Sequence, residues 1–113
     1  MDSLIGEDTP IVINLNNKVL IEEDWMSFAA NMKYIMGRLF GSPGRGGSSV
    51  PLKVRGTEHQ VGAFLAALQR EKRYLEKYVK YGLDNPMTYK SKYQLNNAVT
   101  NFERETGITW PFK

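Results

Sequence analysis

The chain has 113 residues, with 15 Lys+Arg against 12 Asp+Glu, one His and no Cys, for a formal net charge of +3. That length is one ordinary domain, and 42% hydrophobic with 24% charged residues is the make-up of a water-soluble globular chain. Without cysteine there is no disulfide framework, no Cys-ligated metal centre and no thiol nucleophile.

The opening residues, Met1 to Asp8, are acidic and lack the basic region and apolar stretch of a secretory signal. No apolar run reaches the roughly 18–20 residues that span a bilayer. The expectation is an intracellular, cytoplasmic, soluble protein with no membrane partner. It forms a single domain over 1–113, with a loosely held N-terminus over 1–9.

The charge is unevenly spread. Residues 1–32 carry six acids against Lys18, a net −5, and residues 33–113 carry a net +8. A basic region of that size attracts nucleic acid or an acidic protein surface.

Ile11 to Leu15 and Lys18 to Ile21 are short β-branched runs around Asn16-Asn17, a pattern that predicts a β-hairpin. From Glu22 the period changes. Glu22, Glu23 and Asp24 suit the positive end of a helix dipole. Trp25, Phe28, Ala29, Met32, Ile35, Met36 and Leu39 then recur at the spacing of one buried helical face. Gly41 ends that helix, and the Gly/Ser/Pro stretch 41–49 reads as a mobile loop.

Val50 to Arg55 alternates apolar and charged residues, as a strand with one wet face does. Thr57-Glu58-His59-Gln60 matches a capping box, in which the hydroxyl and the Gln side chain each satisfy one backbone N–H. The helix that follows places Val61, Phe64, Leu65, Leu68, Leu75 and Val79 inward and stops at Gly82. Asn85-Pro86 restarts a helix with a cap and a first-turn proline. Leu95, Ala98, Val99 and Phe102 form its apolar stripe, and Gly107 closes it. The tail from Ile108 to Lys113 is a candidate last strand, and Trp110 and Phe112 are too apolar to dangle, so it is expected to pack back on the domain or on a second copy.

The order is therefore β-β-α-β-α-α with that tail. This is an α+β fold, a small sheet covered by three helices.

Residues 70–92 hold seven cations (Arg70, Lys72, Arg73, Lys77, Lys80, Lys90, Lys92) against Glu71, Glu76 and Asp84. Five of the six tyrosines also lie between 74 and 93. At about 100° per residue, Arg70, Tyr74, Lys77 and Tyr81 share one edge of the second helix, while Arg73 and Lys80 point away from the core. Cations track phosphates and aromatic faces stack on unpaired bases, so this edge suits single-stranded nucleic acid or RNA rather than duplex. Lys80, Lys90, Lys92 and Arg45 would add phosphate contacts. The blander reading gives the tyrosines to the core margin and the charges to a solvated face laced by Glu71 and Glu76.

The remaining candidates are weaker. Gly41-Ser42-Pro43-Gly44 has the bare Gly-x-x-Gly form but not the helix–loop–helix setting of a nucleotide clamp. His59, in a first helical turn beside Glu58, has no recognisable serine partner. Glu22, Glu23 and Asp24 point in different directions and cannot share one ion. Asn96, Asn97 and Asn101 are poor helix formers, and their place near Tyr93 hints at polar contacts.

The expectation is a small binding module without catalysis, cofactor or metal, whose partner is nucleic acid. The alternative is an adaptor or assembly protein, of a size that suits a phage or mobile-element accessory. It would dock its basic helices on an acidic protein surface or on a second copy, with Trp110 and Phe112 as self-association anchors.

Overall fold

The computed structural model describes residues 11–15, 22–40 and 52–112; within α1, the side chains of Glu22, Glu23, Leu39 and Phe40 are not among the described groups. The elements are β1 (Ile11–Asn14), α1 (Glu22–Phe40), β2 (Leu52–Arg55), α2 (Glu58–Tyr81) and α3 (Pro86–Thr106). The fold is α+β, three helices with a small parallel sheet.

β1 pairs with β2 in parallel, Ile11 opposite Leu52 and Asn14 opposite Arg55. The Leu15 N–H continues the ladder by donating to the Arg55 carbonyl at 2.7 Å. Parallel neighbours need a long crossover, and α1 supplies it. The local pattern favours a hairpin with 18–21, which lies outside the described residues; here β1 takes its partner from across α1. Alternation along β1 buries Ile13 and exposes Val12 and Asn14, and Leu52 and Val54 of β2 follow the same rule.

α1 buries the expected face, with Phe28, Ala29, Met32, Ile35 and Met36 in the core. The expected Gly41 stop and the loop 41–49 lie outside the described residues.

The capping box at the start of α2 is present. The Thr57 hydroxyl accepts from the Gln60 N–H at 3.1 Å, and Gln60 Oε1 accepts from the Thr57 N–H at 2.9 Å. Gly56 is needed beside it, because a Cβ there would meet Gln60 Oε1 at 2.8 Å and Leu15 Cβ at 3.2 Å.

Not every apolar residue of α2 is inward. Phe64 and Leu68 are buried, but Leu65 is 40% and Val79 68% exposed. The helix packs mainly on α3, and its last turn outruns the core. Val79 therefore has the right angle and no cover.

α2 and α3 form a helical hairpin closed by Gly82 to Asn85. Asn85 caps α3 by accepting from the Met87 N–H at 2.8 Å, and Pro86 follows at the first position. The buried Thr88 hydroxyl donates to the Gly82 carbonyl at 2.7 Å, which ties the turn to the new helix. Gly107 ends α3 in the left-handed region, at φ 75.

The tail after Gly107 is irregular rather than a strand, and it lies inside the fold. Ile108 and Trp110 are buried, with Trp110 at 1% exposure. Trp110 packs edge-on to Phe102 at 5.1 Å and to Phe64 at 6.4 Å, while Phe112, half-buried, meets Trp110 at 5.9 Å. Polar bonds hold the same segment. The Trp110 N–H donates to Glu103 Oε2 at 2.8 Å, and Trp25 Nε1 donates to the Thr109 carbonyl at 2.8 Å. Trp110 is thus a keystone of its own core and no anchor for a second copy. Its apolar surface is worth more inside, where three rings meet it, than on a partner.

Replacing this side chain tests the assignment. Trp110→Ala is expected to lower stability by about 3–5 kcal/mol in urea unfolding, since it removes a buried ring and leaves a cavity. Thr57→Ala, which removes only a cap, is expected to cost about 1 kcal/mol.

Candidate nucleic-acid interface

The α2–α3 hairpin carries every described cation that the sequence pattern singles out. Its geometry divides the expected edge in two. Arg70 is half-buried, and its Nη1 donates to Gln94 Oε1 of α3 at 3.1 Å. Tyr74 is also half-buried and packs against the core. Its ring stacks on Tyr78 at 6.3 Å, and Lys92 Nζ of α3 lies 4.9 Å from the Tyr74 centroid.

Lys77 and Tyr81 belong to the second group. Lys77 Nζ stands 5.6 Å, and Lys80 Nζ 5.3 Å, from the Tyr81 ring. A helical wheel fixes where each Cβ leaves the backbone, but long side chains then swing to the nearest ring or acceptor. The expected row is therefore replaced by two cation–ring clusters, Lys92 on Tyr74 and Lys77 with Lys80 on Tyr81, while Arg70 turns to Gln94.

Arg73, Lys80, Lys90 and Lys92 are exposed, and Arg45 lies outside the described residues. Among the described residues, Lys72 pairs with Glu76 at 2.7 Å, while Lys77, Lys80 and Lys90 have no ion-pair partner. Attraction for an anion at this end is therefore not spent internally.

On the hairpin, three tyrosine rings outside the expected edge are open. Tyr78, Tyr89 and Tyr93 are 45%, 58% and 68% exposed, alongside the exposed Val79, Leu83 and Met87. The signal for Tyr93 was present in the sequence: at about 100° per residue it lies on the opposite side of α3 from Leu95.

Glu71 does not lace a solvated face. It sits within the arc of Phe64, Leu68 and Leu75, is buried, and its Oε1 accepts from Trp110 Nε1 at 2.9 Å. Burial pushes its carboxyl above the ordinary 4.5, against the opposing pull of the Trp110 hydrogen bond and the Lys92 charge.

A cleft of about 190 Å³ lies between α3 and the returning tail, with Lys92, Asn96, Thr100, Glu103 and Phe112 among its lining residues. His59 is exposed. Among the described residues no three potential metal ligands converge, and no helix is long and apolar enough to cross a membrane.

Comparison with known proteins returns no matching family model, no matching curated protein and no matching solved structure. The functional reading rests on the geometry.

The carboxyl of Glu71 gives a pH prediction with a definite sign. A carboxyl raised above its unfolded value binds its proton more readily in the folded chain. Its contribution to stability is present below about 4.5 and is lost as pH rises through the higher folded value. Glu71→Gln keeps an oxygen for the Trp110 N–H and removes the charge. It is expected to raise the melting temperature at pH 7 and to lose that advantage towards pH 4, as followed by circular dichroism.

Proposed function

We propose that this chain is a small, non-catalytic binding module that takes single-stranded nucleic acid, DNA or RNA, on the exposed end of the α2–α3 hairpin. The observation that carries the reading is the placing of lysine ammonium groups beside tyrosine rings. Lys77 and Lys80 flank Tyr81, Lys92 covers Tyr74, Tyr78 stacks on Tyr74, and Tyr89 and Tyr93 of α3 are exposed. Ring faces stack on any unpaired base, and neighbouring cations hold the phosphates between them. A duplex hides its base faces, so the rings would be wasted on it.

A second reading has one observation in its favour. Val79, Leu83 and Met87 are exposed at the same end, and a basic rim around apolar residues also suits an acidic protein surface.

Fluorescence anisotropy with labelled single strands and duplex, across a range of salt, separates the two. Four phosphate contacts, from Lys77, Lys80, Lys90 and Lys92, give an expected slope of log K against log salt of about −3 for a single strand. Lys80→Ala should flatten that slope by roughly 0.7. Tyr81→Ala and Tyr93→Ala should each weaken binding roughly 5- to 150-fold without unfolding the chain. Tyr74 is the wrong position for this test, because its ring supports the core. Absence of single-strand binding at low salt would reject nucleic acid and leave the protein partner.

A further inference from the structure

Among the described residues Glu71 is the one buried carboxylate, and the bond from Trp110 Nε1 to its Oε1 fixes its place. Glu71 and Lys92 line the same cleft between α3 and the tail. Lys92 reaches from α3 to the Tyr74 ring, 4.9 Å from its centroid, and Tyr74 lies one turn from Glu71 on the same side of α2. Lys92 is the positive charge that acts on Glu71, drawing its carboxyl down against the larger effect of burial. Glu103, the other charged group lining the cleft, stands about three turns, roughly 16 Å, along α3 from Lys92, and it accepts from the Trp110 N–H. The tail brings the uncharged Trp110 and Phe112 to the cleft, and α1 contributes no described lining residue. The charges beside Glu71 on its own helix are engaged elsewhere, Arg70 with Gln94 and Lys72 with Glu76.

We infer that Glu71 regulates the single-strand surface through Lys92: while ionised it holds that lysine back from the strand, and once neutralised it releases the lysine for a phosphate. The inference rests on the single-strand reading above. Glu71 acts here as a positioning residue, since it is buried and does not touch the strand. One ammonium group cannot serve two anions in full, so the pull of a carboxylate within the protein is subtracted from that of a phosphate outside it. Salt screens exposed charges, but it screens a carboxylate inside the core much less. The competition also runs in reverse. A phosphate that engages Lys92 weakens its hold on the carboxylate, so strand binding makes Glu71 take up a proton more readily. Burial places this proton transition above the usual carboxylate range and therefore nearer to neutral pH. Affinity for a strand is expected to rise as pH falls through that transition.

The test is anisotropy on the full chain at one low salt, with a labelled thymidine oligomer of about 12 nucleotides, whose base takes up no proton in the range used. At about pH 7, Glu71→Gln is expected to tighten binding roughly 2- to 10-fold, and the gain is expected to vanish when Lys92→Ala is added. From about pH 8 to pH 5 the parent should gain affinity, while Glu71→Gln and the exposed-site variant Lys92→Ala should each change less. Histidine as a class titrates in this range too, so His59→Gln, in the first turn of α2, is the control and is expected to keep the parent's profile. Equal or weaker binding by Glu71→Gln, a gain undiminished by Lys92→Ala, or a profile lost with His59→Gln overturns the link but leaves single-strand binding standing. A pH profile as steep in Lys92→Ala as in the parent overturns it alone, whether or not Glu71→Gln folds. Failure of the oligomer to bind any chain at low salt overturns both readings.

Discussion

An indole N–H buried at the centre of a small core must have an acceptor, and here the acceptor is a carboxylate. Trp110, 1% exposed, donates to Glu71 in the middle of α2, and this bond fixes where the chain's last residues go. With the backbone bond from Trp110 to Glu103 and the Trp25 bond to Thr109, it draws the tail into the fold. Phe28, Phe64, Phe102 and Trp110 then form one cluster that joins α1, α2, α3 and the tail. Burying a carboxylate is costly unless it is bonded. Both the Trp110 N–H and the Lys92 charge oppose that cost.

The same arrangement decides which part of the hairpin is left for a partner. The core includes Phe64, Leu68 and Leu95 and is only edged by Leu75, so the end of the hairpin near Gly82 projects beyond it. Exposed Val79, Leu83 and Met87, Tyr78, Tyr81 and Tyr89, and Lys77, Lys80 and Lys90, which have no ion pair among the described residues, belong to that end. Lys92 links the two regions. It tempers the buried charge of Glu71 on one side and lies over Tyr74 on the other. Rigid support for the rings comes from the clamp around Trp110, since Tyr74 packs on the core and Tyr78 stacks on Tyr74.

Local chemistry was the legible part of the sequence. The Thr57–Gln60 box, the Asn85-Pro86 start, the Gly82 and Gly107 stops and the apolar face of α1 from Phe28 to Met36 all depend on residues within a few positions of one another, and each is in place. Pairing between distant segments was not legible. Strand alternation says which side of β1 is buried, and it says nothing about whether the neighbour is 18–21 or β2. Glu71 was legible in principle, by its angle on α2, yet a charged residue in that arc reads as an exception until its bonding partner is seen. The tail was half legible: Trp110 and Phe112 are too apolar to stay wet, but only the fold shows them meeting their own core. For the candidate site, composition marked the right helices, and the grouping of side chains depended on reach that a wheel does not contain.

The central claim is that the projecting end of the hairpin is the working surface and that the clamp around Trp110 only supports it. A titration of the isotope-labelled chain with a single-stranded oligonucleotide, followed by amide chemical shifts, tests this most directly. The account predicts saturable shifts from Tyr78 to Tyr93, with Ile11–Leu15 and Leu52–Arg55 unmoved. Shifts centred on the strands or on α1, or no shifts at low salt, would contradict it.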